Sequence, residues 1–266
     1  MRIVINADDF GQSDETFEAT AECFKAGALT SATIMPNMPA TDRAIEFALA
    51  NPRFGFGVHL TYVREHDHSA ERPILAADQL ATLCSSDGYF LQSNITRKLA
   101  LRGGLSVEQI VSETRAQIRK LQAAGIPITH VDSHGHLHKF KPFRQALARV
   151  LPELGISRVR TVQTLYLQKP LKSPNFWLGW LWRRQLKALF PKTTDELFLP
   201  TSAGDAGNWA VALLDRLAAM PNAKSIEVGV HPGTAEPWRI SERLGTIELA
   251  RKATSRGHKL ISFAEI

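Results

Sequence analysis

The chain has 266 residues, of which 44% are hydrophobic and 22% are charged, a composition typical of a globular protein with a sizeable core. No apolar run is long enough to span a bilayer, and no signal peptide precedes the first predicted strand, so we expect a cytoplasmic protein. The two cysteines, Cys23 and Cys84, are far apart and suggest no disulfide framework, which fits a reducing compartment.

The net charge of +6 is unevenly distributed. Residues 139–192 contain 12 of the 32 Lys and Arg residues and a single acid, Glu153, so this segment alone carries +11. The remainder has 20 basic and 25 acidic residues, which gives −5. The basic character therefore belongs to one segment rather than to the whole chain.

Strand-like and helical stretches alternate along the chain. Strands are predicted at 2–6, 29–35, 54–60, 128–132, 157–162, 196–200, 225–230 and 258–263. Helices are predicted at 14–26, 39–51, 106–124, 142–154, 176–190, 208–220 and 240–256. This alternation predicts a mostly parallel sheet, and about eight such units favour a closed (β/α) barrel over an open sheet. We therefore predict an α/β fold with a single domain over 1–266, and insertions at about 62–105 and 163–195.

Polar side chains occur where several of the predicted strands end. They are Asp8 and Asp9 after the first strand, His59 at the end of the third, His134, His136 and His138 after the fourth, and His231 after the seventh. In a (β/α) barrel the carboxyl ends of the strands form the rim on which the active site is built. Successive residues of a strand point to opposite faces, so the two adjacent acids cannot both be idle surface residues.

This set of side chains suits a divalent metal ion. Two imidazoles and one carboxylate leave open positions for water and substrate, and we predict Asp9, His59 and His134 as the ligands. A single histidine after a strand is more often a core or rim residue, but the clustered histidines of DSHGHLH favour a metal. If the backbone is extended here, His134, His136 and His138 point to the same side of the chain but lie at different distances from any one metal position. Not all three are therefore expected to be ligands.

The second carboxylate is then free for proton transfer. A bound cation lowers the pKa of its water strongly, so Asp8 is placed to act as a base. The alternative, that Asp8 or Asp9 caps the first helix, is weaker because Ser13 and Asp14 are better placed to do so.

Four motifs occur in order along the chain: NADDFG at 6–11, GVHLT at 57–61, THVDSHGHLH at 129–138 and VHPG at 230–233. Together they resemble the YdjC-type carbohydrate deacetylases, which include chitooligosaccharide deacetylases. The resemblance implies an irregular TIM-like barrel that removes N-acetyl groups from sugars with one divalent cation. By matching motif positions, it implies Asp8 as general base, Asp9, His59 and His134 as metal ligands, and His231 as a candidate general acid.

Several points stay open after this resemblance. The family suggests Mg²⁺, whereas two imidazoles suit Zn²⁺ or another transition metal better. The amine leaving group needs a proton, which His231 or one of His136 and His138 would supply. Trp209 and Trp238 are either sugar-stacking residues or ordinary core and loop residues.

Two other functions also remain. One is a different metal-dependent hydrolase, such as a phosphoesterase or an amidohydrolase. The other is a catalytically silent carbohydrate-binding protein, although binding alone needs no base at position 8. Members of the family differ in substrate, and because 62–105 departs from the relatives, the resemblance does not indicate which sugar is the substrate.

The basic segment includes SPNFWLGWLWRRQLKALFPK at residues 173–192, in which tryptophans are followed directly by cations. These are Trp177, Trp180 and Trp182, then Arg183, Arg184 and Lys187. Tryptophan beside arginine on a helix is typical of a segment at the interface of an anionic membrane, which would allow a lipid-linked N-acetylated sugar as substrate at the inner face. The alternative is a barrel helix with solvated cations. No recognition motif indicates nucleic acid, and a homodimer stays open.

Overall fold

The structure is a computed structural model that describes residues 1–65, 71–168, 171–200, 208–220 and 222–266, without the side chains of residues 174 and 175. Its strands are β1 (Arg2–Phe10), β2 (Ser31–Ile34), β3 (Gly55–Leu60), β4 (Val131–Ser133), β5 (Glu196–Phe198), β6 (Ser225–Val230) and β7 (Lys259–Leu260). Its helices are α1 (Asp14–Lys25), α2 (Thr41–Ala50), α3 (Ser93–Arg102), α4 (Val107–Ala123), α5 (Lys141–Glu153), α6 (Pro174–Leu189), α7 (Trp209–Ala218) and α8 (Pro237–Ser255).

Within the described residues, seven parallel strands form one curled sheet. Its order is β4-β3-β2-β1-β6-β5, and β7 also pairs with β1. All the pairings are parallel, so the carboxyl ends of the strands meet at one rim. The predicted single-domain α/β fold of the TIM-like type is confirmed, but the predicted closed barrel is wrong, because β4 and β5 are the two ends of the described sheet and do not pair with each other. The two insertion boundaries stay a prediction.

The prediction of a regular strand at 157–162 is wrong. The segment makes only isolated parallel bridges, from Val159 to Val131 of β4 and from Arg158 to Lys192. Farther along, Leu165 bridges to Phe198 of β5. The segment thus touches both edge strands at single points, because its backbone pairs with different partners in turn rather than following one neighbour. It completes the curl between β4 and β5 without a continuous ladder.

The end of β1 is anchored by aromatic packing. Phe10 follows Asp9 directly, is fully buried, and stacks on Phe17 with ring centroids 5.5 Å apart. It also packs against Phe24 and Phe56 at 6.3 and 6.4 Å. These contacts involve α1 and β3, so the acids that precede Phe10 are held by the main hydrophobic core.

The helix ends follow the sequence signals. Ser13 caps α1 in a reciprocal capping box with Thr16, so neither Asp8 nor Asp9 is needed as a cap. Ser106 caps α4, where its hydroxyl accepts a hydrogen bond of 3.3 Å from the Gln109 amide. Among the helices that the structure describes, none combines the length and the apolar character needed to cross a lipid bilayer.

Candidate active site

A distortion at the end of β1 brings both adjacent acids to one cavity. The register between β1 and β2 shifts between Ala7 and Phe10, and Asp9 has a φ of +55° in the left-handed region. Such a backbone conformation is uncommon for a residue other than glycine and is often associated with functional sites. Because of this turn, Asp8 and Asp9 both line the same cavity instead of facing opposite sides of the sheet.

The three predicted metal ligands meet at this point. Asp9 Oδ1 lies 3.0 Å from His134 Nδ1 and 3.3 Å from His59 Nε2. The candidate ligand atoms of the three residues all lie within 4.8 Å of one another, and all three residues are buried. Tetrahedral ligands at the usual zinc distances are separated by about 3.3 Å, so one carboxylate and two imidazoles here have the spacing and the chemistry of a divalent metal site.

Each ligand candidate is oriented by a further charged group. Asp132 Oδ1 lies 2.8 Å from His59 Nδ1, which leaves Nε2 directed at Asp9. Glu65 Oε1 lies 3.2 Å from His134 Nε2. Arg239 Nη2 donates to Asp9 Oδ2 at 2.8 Å. A carboxylate behind a ligating histidine fixes its ring and its tautomer, so this arrangement is typical of a metal centre.

The acidic neighbours of His59 and His134 favour a positive charge at the site, either on the imidazoles or on a bound cation. Burial alone would lower the pKa of His59, but the charge and hydrogen bond of Asp132 raise it to about 10. Burial opposes the charge of His134 as well, and Asp9 raises its pKa to about 9. Burial would raise the pKa of Asp9, yet His134 holds it well below its usual value. The carboxylate is therefore ionised, and a bound cation would take the place of the protons.

Asp8 belongs to a network of fully buried charges that contacts the ligand candidates through Asp132 and His59. Arg160 Nη1 and Nη2 donate to its two carboxylate oxygens at 2.5 and 2.6 Å. The same guanidinium lies 2.8 Å from Asp132 Oδ2 and 2.6 Å from Glu227 Oε1. Burial would raise the pKa of Asp8, but Arg160 holds it well below its usual value. Asp8, His59 and Asp132 also have metal-ligand spacing, but the Arg160 guanidinium already contacts both carboxylates.

His231 faces Asp8 from the other side of the cavity. Its Nε2 lies 3.7 Å from Asp8 Oδ2, and its Nδ1 lies 3.1 Å from Glu242 Oε2. Its backbone amide also donates to Glu242 Oε2 at 2.7 Å. Burial would lower the pKa of His231, but Glu242 raises it above its usual value. The fixed carboxylate of Glu242 therefore favours the protonated form of the imidazole.

The histidines after β4 do not follow the extended path expected from the sequence. Residues His134–Lys139 form a 3-10 turn in which Gly135 and His136 have φ values of +61° and +54°. The turn is held by Arg97, which donates to the Gly135 carbonyl at 2.7 Å. It directs His134 to Asp9, whereas the Nδ1 of His138 lies 2.8 Å from the Ser133 hydroxyl.

The cavity has a volume of about 700 Å³. All five predicted site residues line it, as do His136, Trp238 and Arg239. Trp238 is 40% exposed and packs edge-on against His231 at 5.6 Å, so it remains a candidate for sugar stacking. Trp209 is buried against Phe198, so of the two alternatives left open for it the structure supports a core residue.

Sequence reasoning missed the charged residues that orient this site. Arg160 and Glu227 are charges in stretches predicted as buried strands, and such a pair is itself a signal of an internal ion pair. Asp132 is the register partner of His59 across β3 and β4, which only the strand pairing reveals. Glu242 and Arg239 lie on α8, outside the four motifs, and no local pattern in the sequence marks them. His66 and His68, to which no role was assigned, lie outside the described residues.

Relatives of known name share part of this chain. The carbohydrate deacetylase of Clostridium beijerinckii is 34% identical over 156 residues, which are 59% of this chain and 58% of that protein. The carbohydrate deacetylase of Listeria monocytogenes serotype 4a is 37% identical over 161 residues, which are 59% of this chain and 60% of that protein. The chain thus matches a little more than half the length of these curated relatives.

The similarity in fold and the match to a family model extend over nearly the whole chain. A candidate cellobiose-phosphate cleavage protein of Enterococcus faecalis has a TM-score of 0.77 at 22% identity, covering 99% of this chain and 98% of that one. The lactam utilization protein of Thermus thermophilus has a TM-score of 0.59 at 11% identity, covering 98% and 100%. At these identities the likeness shows the fold alone. The family model described as YdjC-like protein matches residues 2–259, and the chain belongs to this family.

Proposed function

We propose that the protein is a metal-dependent hydrolase that removes the N-acetyl group from an N-acetylated sugar and releases acetate. The observation that supports this most directly is the convergence of three kinds of group on one cavity. They are the Asp9, His59 and His134 cluster, the ionised carboxylate of Asp8 and the protonated imidazole of His231. Amide hydrolysis needs a group that polarises the carbonyl, a base for water and an acid for the amine.

Asp9, His59 and His134 would hold the cation. When bound, it would supply a Lewis acid that polarises the acetamide carbonyl and lowers the pKa of the attacking water. Two imidazoles and a carboxylate at separations of 3.0 and 3.3 Å favour zinc or another transition metal over magnesium. Elemental analysis of the purified protein tests this preference.

Asp8 would accept the proton of the attacking water. Its two oxygens are fixed by Arg160, so the carboxylate needs no reorientation before the reaction, and it stays ionised over the physiological pH range. A strongly paired carboxylate is a weak base, and it can deprotonate only water that has already been acidified. This explains why Asp8 lies directly beside the candidate metal ligand Asp9 on β1.

His231 would donate the proton to the leaving amine. Glu242 raises its pKa, whereas burial near Arg160 lowers the pKa of His136 well below its usual value. Burial likewise lowers the pKa of His138 to about 3, in spite of the nearby Asp132. Of the three candidates named from the sequence, only His231 therefore carries a proton to give near neutral pH.

The substrate would be an N-acetylated sugar or a short oligosaccharide. A cavity of about 700 Å³ can hold a sugar ring and part of its neighbour, with the half-exposed Trp238 available for stacking. The curated relatives are named carbohydrate deacetylases, which supports this class. The cytoplasmic location stays a prediction.

Acetate release from N-acetylated oligosaccharides tests the proposal directly. We expect release that is abolished by a chelator and restored by added metal. Phosphate release from sugar phosphates without acetate release would favour the phosphoesterase alternative. Binding of the sugars without any hydrolysis, in a protein that contains its metal, would favour the catalytically silent carbohydrate-binding protein.

A further inference from the structure

The outward face of α6 is more apolar than a solvated helix face requires. Trp177 and Trp180 are 65% and 68% exposed, and Leu181 is 41% exposed. The opposite side of the helix is apolar as well, because Trp182 and Leu186 are buried in the core. A barrel helix needs only one apolar face, so packing within the domain leaves the exposed tryptophans unexplained.

Cations share this outward face with the tryptophans. Arg184 and Lys187 are exposed and follow Trp180 at helical spacings of four and seven residues. The guanidinium of Arg184 lies 5.9 Å from the centre of the Trp180 ring. Arg183 does not belong to this face, since its Nη2 turns to the domain and lies 3.6 Å from Glu196 Oε1. The helical period predicts Arg183, Arg184 and Lys187 on one side of the helix, and this is wrong for Arg183.

The charge of the surroundings indicates which partner fits. Residues 173–192 contain no acid, and the larger segment 139–192 carries +11. A second copy of the chain would bring the same cations to the contact, and like charges facing each other disfavour association. Exposed tryptophan rings among cations are instead complementary to a lipid surface with negative headgroups.

The same helix reaches the candidate active site. Phe176 and Gly179 of α6 line a small cavity of about 200 Å³, and this cavity shares His136 with the main one. Helix α6 therefore carries the exposed tryptophans on one face and, with another face, lines a second cavity that adjoins the main one at His136.

We propose that the outward face of α6, defined by Trp177, Trp180, Leu181, Arg184 and Lys187, docks the protein on an anionic lipid surface. The tryptophans would enter the headgroup region, and the cations would pair with lipid phosphates. A consequence, which rests on the deacetylase function proposed above, is that the enzyme acts on N-acetylated sugars attached to a lipid.

Sedimentation with vesicles tests the docking independently of the enzyme activity. Wild-type protein is mixed with vesicles of phosphatidylglycerol and phosphatidylcholine, or of phosphatidylcholine alone, at low and moderate salt. We expect binding to the anionic vesicles only, weaker at moderate salt. Trp177→Ser with Trp180→Ser should weaken binding about tenfold. Arg184→Gln with Lys187→Gln should weaken it by roughly fivefold for each cation removed.

A matched control uses exposed leucines elsewhere. Leu101→Ser with Leu244→Ser removes side chains that are 68% and 56% exposed outside this face, and it should bind like wild type. The proposal would be overturned if wild-type protein does not bind the anionic vesicles, or if both α6 variants bind them as strongly as wild type does. It would also be overturned if ultracentrifugation shows a wild-type dimer that the tryptophan variant no longer forms. Acetate release from a water-soluble oligosaccharide should be unchanged in the tryptophan variant, so a failure of docking is distinguishable from a failure of the deacetylase function.

Discussion

Asp8 and Asp9 are neighbours in the chain, but their carboxylates lie in different surroundings. Both oxygens of Asp8 accept hydrogen bonds from the Arg160 guanidinium, a single cation that Asp8 shares with Asp132 and Glu227. Asp9 accepts a hydrogen bond from Arg239 on Oδ2 only, and its Oδ1 contacts two imidazoles, His59 and His134, whose protons a metal ion can replace. The comparison teaches that a single backbone turn at Asp9 lets two adjacent acids reach one cavity, while their partners determine what each can do.

The largest effect is expected on the Asp8 side. Asp8→Asn should lower the rate of acetate release by about 10⁴-fold, because a carboxamide cannot accept the proton of water. Metal content should be unchanged, and the free energy of unfolding should fall by about 3 kcal/mol, since Arg160 loses a buried charge partner. Steady-state kinetics and urea unfolding measure both effects. The exposed Asp42→Asn is the control, and wild-type turnover in Asp8→Asn would contradict the assignment.

Arg160→Met tests whether the Asp8 side is a charge network rather than a single ion pair. The substitution leaves Asp8, Asp132 and Glu227 without their cation, and we expect a loss of about 3–5 kcal/mol in the free energy of unfolding. In wild type the pKa of Asp8 is lower in the folded protein than in the unfolded chain, and this difference stabilises the fold. The stabilisation is fully present above the pKa that Asp8 has in the unfolded chain, and it is lost as the pH falls through the pKa that Asp8 has in the folded protein.

The stability of Arg160→Met should depend on pH in the opposite direction to that of wild type. Without Arg160, burial raises the carboxyl pKa values, so the folded state takes up protons and the deficit shrinks as pH is lowered from 8 to 5. Urea unfolding at the two pH values checks this. A deficit that does not depend on pH would indicate that only packing was lost.

On the Asp9 side, the expected effect is on metal affinity. His59→Ala and His134→Ala should each weaken metal binding by at least about a hundredfold, because each removes one candidate ligand. His138→Ala should have a smaller effect, since its ring contacts Ser133 instead of Asp9. Metal titration of the three variants, with the half-buried His258→Ala as control, is the measurement. An empty site in His138→Ala with a full site in His134→Ala would overturn the ligand assignment.

The smallest effect concerns the proton donor between the two sides. Glu242→Gln removes the charge that raises the pKa of His231, so the group should lose its proton at lower pH. Because the amine must leave protonated, the alkaline limb of the rate profile should move to lower pH. Turnover at pH 8 should fall by roughly tenfold or less, with little change at pH 6. An unmoved alkaline limb would exclude His231 as the donor.

The sequence predicts the parts of the site that follow from strand order. Because parallel strands end at one rim, Asp9, His59 and His134 were expected to meet, and they lie within contact distance. The alternation of elements likewise predicted the barrel-like sheet. What failed was local geometry: the extended path expected for His134 to His138 did not allow for two left-handed residues, Gly135 and His136.

The partners of these groups could not be predicted in the same way. Arg160 lies in a stretch that pairs only at isolated bridges, so its direction into the barrel depends on the tertiary fold. Glu242 and Arg239 come from α8, and only the packing of that helix brings them to His231 and Asp9. Long-range contacts of this kind leave no periodicity in the sequence.

The most direct test of the division between the two acids is to measure metal content and acetate release on the same preparations of wild type, Asp8→Asn and Asp9→Asn. We predict that Asp8→Asn keeps about one metal ion per chain and releases almost no acetate, because proton transfer alone is lost. Asp9→Asn should lose both its metal and its activity, and excess metal should restore part of each. Equal metal loss in the two variants, or a full complement of metal in Asp9→Asn, would contradict the account.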